Sequence, residues 1–171
     1  KMRNSKEVGL CRLGFSLDAP VAEVQDQFRG TAGSFDLTVQ LIKEAIAAKE
    51  MAYVPYSHFR VGAALLTKDG KIYRGCNIEN VAFTPTNCAE RTAFFKAISE
   101  GEKEFAAIAV TGDADDYLYP CGVCRQVMVE FCDLKEFKVV VANTEEDYKV
   151  YSLGELVPGV FDAEELAKGQ R

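Results

Sequence analysis

The sequence predicts an α/β protein, a three-layer α/β/α sandwich around a mixed sheet of about five strands. Three observations carry this. Two β segments, 60–67 and 71–77, flank Asp69-Gly70, a pair suited to the positive φ angles of a tight hairpin turn. Two continuous apolar runs, 105–111 and 137–142, lack alternation and so read as strands covered on both faces. Helical segments stand before and between these strands, and two of them begin at a cysteine.

Residues 1–33 mix charges, glycines and isolated apolar residues without a sustained period, so they read as an N-terminal extension with a short helix at 22–28. The domain proper is 34–171. Ser34 and Asp36 are candidate N-caps, and Leu37, Leu41, Ala45 and Ala48 keep one face apolar, which predicts a helix over 36–50. Pro55 and Ser57 mark 53–59 as a loop before the hairpin, and Asn80, Pro85 and Asn87 mark 78–87 as another. A helix follows over 88–100, with Ala89, Ala93, Phe94 and Ala97 on neighbouring faces and Gly101 as the stop. The acidic loop 112–119 ends at Pro120, which suits the first turn of a third helix over 121–131. A short fifth strand at 149–152 and a terminal helix at 161–169, after Pro158-Gly159, complete the chain.

Length and composition narrow the function. With 171 residues, 48% hydrophobic and 27% charged, the chain can bury one sizeable core as an ordinary globule. A net charge of −6 with no Lys/Arg block argues against a nucleic-acid polymer as partner. No apolar run is long enough for a membrane span, and no signal-peptide order opens the chain, so the expected location is cytoplasmic. Six cysteines accompany a large aliphatic inventory and a Cys-x-x-Cys pair, a combination that points to metal or redox chemistry.

Cys88 and Cys121 sit at two predicted helix starts, with Cys124 three residues further on. Unpaired N–H groups and the positive end of the helix dipole favour thiolate there, so all three thiols are expected to ionise readily. Three thiolates leave the fourth tetrahedral position of a zinc ion open, as a catalytic site requires; a fourth ligand from Cys76 or Cys132 would instead make it structural. Glu90, two residues after Cys88, adds a carboxylate able to carry protons.

Cys88-Ala89-Glu90 followed by Pro120-Cys121-Gly122-Val123-Cys124 resembles the zinc-dependent nucleoside deaminases. Segments 56–64, 75–80, 88–97 and 125–127, with 156–161, are similar to the compact, homotetrameric branch of cytidine deaminase, across roughly 36–162. The resemblance implies one Zn²⁺ per subunit on Cys88, Cys121 and Cys124, with Glu90 shuttling protons while hydroxide adds at C4 and ammonia departs. It implies that Arg91 hydrogen-bonds the sulfurs and offsets their surplus charge. It also implies that Asn77 and Glu79 hold the ribose hydroxyls, that Ala89 offers its N–H to the base O2, and that Phe59 packs on the ring. The Tyr119 carbonyl would accept from the amino group, and Phe83 and Phe161 would enter a neighbouring subunit's site in a homotetramer.

Three positions depart from that pattern. Phe83 stands where many members carry tyrosine, Val81 where alanine is common, and Tyr119 where serine is common. Val81 is expected to narrow the pocket. Outside the pattern, His58 reads as an exposed loop residue, Phe94-Phe95 as core, Asp113, Asp115 and Asp116 as a solvated acidic loop, and Cys11, Cys76 and Cys132 as incidental thiols.

The expected function is therefore zinc-dependent hydrolytic deamination of cytidine and 2′-deoxycytidine to uridine and 2′-deoxyuridine, a step of pyrimidine salvage. Its nearest rival is a deaminase of a related cytosine nucleoside antibiotic or nucleotide. A different class, a non-catalytic zinc-stabilised interaction module, would keep the cysteines without needing Glu90.

Overall fold

The computed structural model describes residues 34–162 and Leu166. The extension 1–33 with its expected helix, Cys11, and most of the helix expected at 161–169 lie outside the described residues; Phe161 and Asp162 are non-helical. Helix α1 spans Ser34–Lys49, and strands β1 (Val61–Thr67) and β2 (Ile72–Cys76) form the hairpin. Helix α2 (Ala89–Ser99), strand β3 (Phe105–Gly112), helix α3 (Gly122–Phe131), strands β4 (Lys138–Ala142) and β5 (Tyr148–Ser152) and a single-turn helix α4 (Leu153–Leu156) follow.

The sheet is mixed, in the order β2-β1-β3-β4-β5. Only β3 and β4 are parallel; the hairpin, β1 with β3 and β4 with β5 are antiparallel. Side chains alternate between two buried faces, as the pleat requires. Ala64, Leu66, Ala109, Val140 and Ala142 meet Leu41, Ile42 and Ala45 of α1. Ala63, Leu65, Ile108, Val110, Val139 and Val141 meet Ala89, Ala93, Phe94 and Ala97 of α2 and Cys124 and Met128 of α3. The sandwich is therefore three-layered, and the unalternating apolar runs of β3 and β4 reflect cover on both sides.

Two glycines set how closely helices approach the sheet. A Cβ on Gly62 would lie 2.1 Å from the Ala45 carbonyl oxygen of α1, and one on Gly75 would lie 2.3 Å from the Ala89 carbonyl oxygen of α2.

Several local expectations change. The hairpin turn has three residues rather than two: Thr67 N–H donates to the Lys71 carbonyl, Gly70 N–H donates to the Thr67 carbonyl, and among the described non-glycine residues Asp69 does not take positive φ, leaving that to Gly70 at 93°. This is the three-residue loop with a glycine in the left-handed region. Leu37 is exposed and Ile42 takes its place in the core. Phe94 is fully buried among Phe105, Phe131 and Phe137, but its neighbour Phe95 is 47% exposed, because adjacent residues on a helix point about 100° apart. Pro120 lies just before the α3 N-cap rather than in the first turn. Helix α4 went unforeseen although Ser152 and Glu155 form a capping box ahead of it. No helix among the described residues is long and apolar enough to cross a membrane.

Candidate active site and metal centre

The ends of β2 and β3, the start of β1 and the N-termini of α2 and α3 converge at one end of the sheet. Cys88 is the N-cap of α2 and Cys121 the N-cap of α3, both with extended backbone, and neither sulfur caps its own helix. Each thiol is thereby left free to face the other helix. Cys124 sits in the first turn of α3 and is buried.

The three sulfurs lie within 4.8 Å of one another, and those of Cys88 and Cys121 are 3.9 Å apart. Zn–S bonds of about 2.3 Å in a tetrahedron place sulfurs about 3.8 Å apart, so the donor set fits one zinc ion. Cys76 and Cys132 are not part of this cluster: Cys76 Sγ donates to the Met51 carbonyl, and Cys132 is the C-cap at the far end of α3. With three protein donors the centre keeps an open position, the catalytic rather than the structural pattern.

The expected ease of ionisation holds for Cys88 and not for Cys124. The Cys124 thiol hydrogen-bonds Cys88 and, with Arg91, brings the Cys88 thiol down to about 5. The same contact with Cys88, reinforced by burial, pushes the Cys124 thiol upward.

Arg91, on the first turn of α2, extends Nη2 to the Cys88 sulfur at 3.4 Å and to the Thr86 carbonyl at 3.2 Å. Its Nε is buried with no hydrogen-bond partner among the described residues. Glu90 is 4% exposed. Burial, then the neighbouring Cys88 charge, raises its carboxyl to about 7, against the hydrogen bond from Cys124 and the Arg91 charge. A carboxyl poised there can both take and give a proton near neutral pH. Ala89 opens α2 directly after its N-cap, so its N–H is one that a helix leaves without an internal partner.

The other candidates lie on the loops and strand ends that flank these helix starts. Asn77 accepts from Val61 N–H through Oδ1 and donates through Nδ2 to the Phe59 carbonyl, both at 2.9 Å, so its side chain pins the start of β1. Glu79 Oε2 accepts from the Tyr56 and Ser57 N–H groups at 3.0 and 3.2 Å. An open cleft of about 310 Å³ lies beside them, lined by Tyr56, Ser57, Glu79, Asn80, Phe83 and Thr86. Phe59 lies over Gly112, where an added Cβ would be 3.3 Å from its ring. Tyr119 precedes Pro120 and Cys121, and its hydroxyl meets that of Tyr151.

Phe83 and Phe161 are 75% and 62% exposed in the single chain, with Gln126 Nε2 donating to the Phe161 carbonyl. Val81, expected to narrow the pocket, is exposed and does not line the cleft. His58 is exposed, with φ of 56°. Asp113 is not simply solvated: it accepts from Arg60 Nε at 2.8 Å and pairs with Lys49 Nζ at 3.2 Å.

Thr86, Tyr151 and Arg125, the last named only as part of segment 125–127, contact the site's segments without having been assigned a role. Arg125 bridges the Pro120 and Leu156 carbonyls, both at 2.7 Å, tying the loop before α3 to α4. Its place directly after Cys124 was the available signal; Thr86 and Tyr151 offered none. A second cleft, of about 130 Å³ around Lys68, Lys103 and Phe137, lies at the opposite end of the sheet, away from the thiols.

Residues 37–142 match the family described as the cytidine and deoxycytidylate deaminase zinc-binding region. The chain is 56% identical over 126 residues to a cytidine deaminase of Halalkalibacterium halodurans, covering 74% of this chain and 95% of that protein. It is 52% identical over 128 residues to one of Sporosarcina psychrophila, covering 75% and 93%. Among solved structures, the Burkholderia pseudomallei cytidine deaminase superposes with a TM-score of 0.68 at 51% identity, over 71% of this chain and 97% of that one. The Mycobacterium tuberculosis cytidine deaminase does so with a TM-score of 0.63 at 38% identity, over 71% and 94%.

Proposed function

The chain belongs to the cytidine and deoxycytidylate deaminase zinc-binding family, and from that premise we propose that it hydrolyses cytidine and 2′-deoxycytidine to the uridine nucleosides and ammonia. The observation that carries this is a buried Glu90 carboxyl, raised to about 7, beside three sulfurs that fit one zinc ion.

Cys88, Cys121 and Cys124 would hold one zinc ion. When bound, zinc would supply Lewis-acid activation of a water molecule at neutral pH. Glu90 is placed to accept a proton from the attacking water and give it to the ring N3, and then to carry the second proton, from the hydroxyl newly added at C4, to the departing amine, a shuttle suited to a carboxyl raised to about 7. Arg91 offsets the net negative charge that three thiolates impose on a divalent cation. The Ala89 N–H and the Tyr119 carbonyl orient the base through O2 and the amino group. Phe59 covers the ring. Asn77 and Glu79 meet the ribose with the donor and acceptor capacity that their backbone contacts leave free.

The cleft lining includes a carboxylate and no Lys or Arg, which supports a nucleoside over a 5′-phosphorylated substrate. The reading extends to a cytoplasmic enzyme of pyrimidine salvage, with 34–171 as the catalytic unit and 1–33 as an appendage. It extends also to a homotetramer in which Phe83 and Phe161 complete a neighbour's site. The exposure of Met51, Tyr53, Tyr56, Ile78, Val81 and Phe83 supports such an interface.

The test is Glu90→Gln, followed by the absorbance change of cytidine to uridine and by metal analysis. Loss of turnover with full zinc is expected. A wild-type protein inert on cytosine nucleosides would replace this reading with a zinc-stabilised interaction module.

A further inference from the structure

Residues 113–120, between β3 and the N-cap of α3, belong to no helix or strand, yet they deliver Cys121 to the cysteine cluster. Side chains fasten this segment instead. Tyr119 and Tyr151 are bonded hydroxyl to hydroxyl at 2.9 Å, with ring centroids 5.7 Å apart and planes inclined by 56°. Tyr117 donates to Asp147 in the β4–β5 turn and carries Lys149 Nζ over its ring, 4.0 Å from the centroid. Leu118, between them, packs at Gly112, where an added Cβ would lie 2.6 Å from Cδ2. The Pro120 carbonyl accepts from Arg125 Nε. Tyr151, Asp147 and Lys149 all come from β5 or its turn, so one edge of the sheet serves as a rigid bar for a stretch with no ladder of its own.

We propose that Tyr151 is a positioning residue: through the Tyr119 hydroxyl it fixes the backbone that presents both the Tyr119 carbonyl and the Cys121 sulfur to the reaction centre. This rests on the reading of Cys121 as a ligand and of the Tyr119 carbonyl as a substrate contact. A peptide carbonyl cannot be exchanged by mutation, so its placement depends on what holds the side chains around it. Tyr119 Cα is two residues from Cys121, so a displacement at the hydroxyl pair reaches the sulfur through only two peptide units. Of the two clamps, the Tyr119–Tyr151 pair is nearer the ligand, and Tyr117 anchors the upstream half.

The experiment compares Tyr151→Phe, Tyr119→Phe and the double variant, each full length and loaded with zinc. Each change removes one oxygen and leaves the rings in contact. Either single variant is expected to lower kcat at full zinc occupancy about fivefold, the worth of one hydrogen bond, and to speed zinc transfer to a chelator by a similar factor. The double variant should match the singles, because both remove the same bond. Unchanged kcat and zinc release, with only a lowered melting temperature, would overturn the proposal in favour of a purely structural staple. Losses that multiply in the double variant would overturn it too. If Tyr151→Phe fails to fold, Tyr119→Phe breaks the same bond from the loop side and carries the comparison. Cys121→Ser separates this inference from its premise: zinc and activity retained there would refute the site itself, whereas zinc lost there with silent tyrosine variants would refute only the clamp.

Discussion

Arg91 Nη2 bridges the Cys88 sulfur at 3.4 Å and the Thr86 carbonyl at 3.2 Å. The carbonyl fixes the guanidinium against the loop ahead of α2, so its charge is held on the thiolate and not swung into solvent. Arg91→Ala should leave the fold intact and reduce turnover or zinc affinity about 10- to 100-fold, the usual effect of removing a residue that supports a metal ligand. Turnover assay and metal analysis on the purified variant check this, and wild-type values in both would sink it. Lysine should not restore function fully, since its ammonium is a single nitrogen with no counterpart to the guanidinium's other N–H donors, the buried Nε among them.

Asp113 accepts two bonds from the Arg60 guanidinium and one from its backbone N–H, and pairs with Lys49, so α1, β1 and β3 meet at one carboxylate. The Arg60 hydrogen bonds, chiefly, hold its carboxyl well below the ordinary aspartate range. A carboxyl depressed on folding contributes stability above its unfolded pKa of about 3.9, and that contribution fades as pH falls below it toward the folded value. Wild-type protein should therefore lose more urea stability between about pH 5 and pH 3 than Asp113→Asn does. The Arg60 and Asp113 side chains are 41% and 26% exposed, so the difference should be modest and shrink in high salt. Parallel pH profiles for the two proteins would show that the network is inert.

The covered strands and the two cysteine-led helices were legible because their signals are local: an unbroken apolar run, or a helix start beside a functional residue. The metal centre followed from spacing and chemistry in the same way. The Tyr119–Tyr151 pair was not legible, since its partners lie 32 residues apart and neither sits in a pattern that requires the other. Phe95 was misread because a paired aromatic looks like core, although helix geometry can bury only one of the two against the sheet. The expectation of three easily ionised thiols treated each cysteine alone, and the close contact of Cys88 with Cys124 moves the two in opposite directions. Helix α4 was legible in principle from Ser152 and Glu155 but is too short to show a period.

Glu155 accepts from both the N–H and the hydroxyl of Ser152, at 2.8 and 2.9 Å, and so closes the first turn of α4. That turn buries Leu153 and Leu156 and supplies the Leu156 carbonyl to Arg125. Glu155→Ala should cost about 1 kcal/mol of stability, the usual worth of a cap. Glu155→Gln, which keeps an acceptor oxygen, should cost less. Chemical denaturation of both variants checks the order, and equal losses would mean that the carboxylate charge rather than the cap matters.

Gly75 and Gly70 offer the sharpest contrast between space and conformation. A Cβ at Gly75 would lie 2.3 Å from the Ala89 carbonyl oxygen and 2.4 Å from the Ala93 nitrogen, backbone atoms that cannot step aside without moving α2. Because α2 carries Glu90 and Arg91 and is capped by Cys88, that shift reaches the metal centre directly. Gly75→Ala should cost about 1–3 kcal/mol, as overpacking does, and lower activity beyond what the lost stability explains. Gly70 meets nothing within 4 Å, but its φ of 93° strains any other residue. Gly70→Ala should therefore destabilise the hairpin by about 1 kcal/mol while kcat in the folded protein stays at the wild-type value. Measuring kcat well below both melting temperatures separates the two effects. A fully active Gly75→Ala enzyme would show that α2 can ride away from β2 without disturbing the thiols.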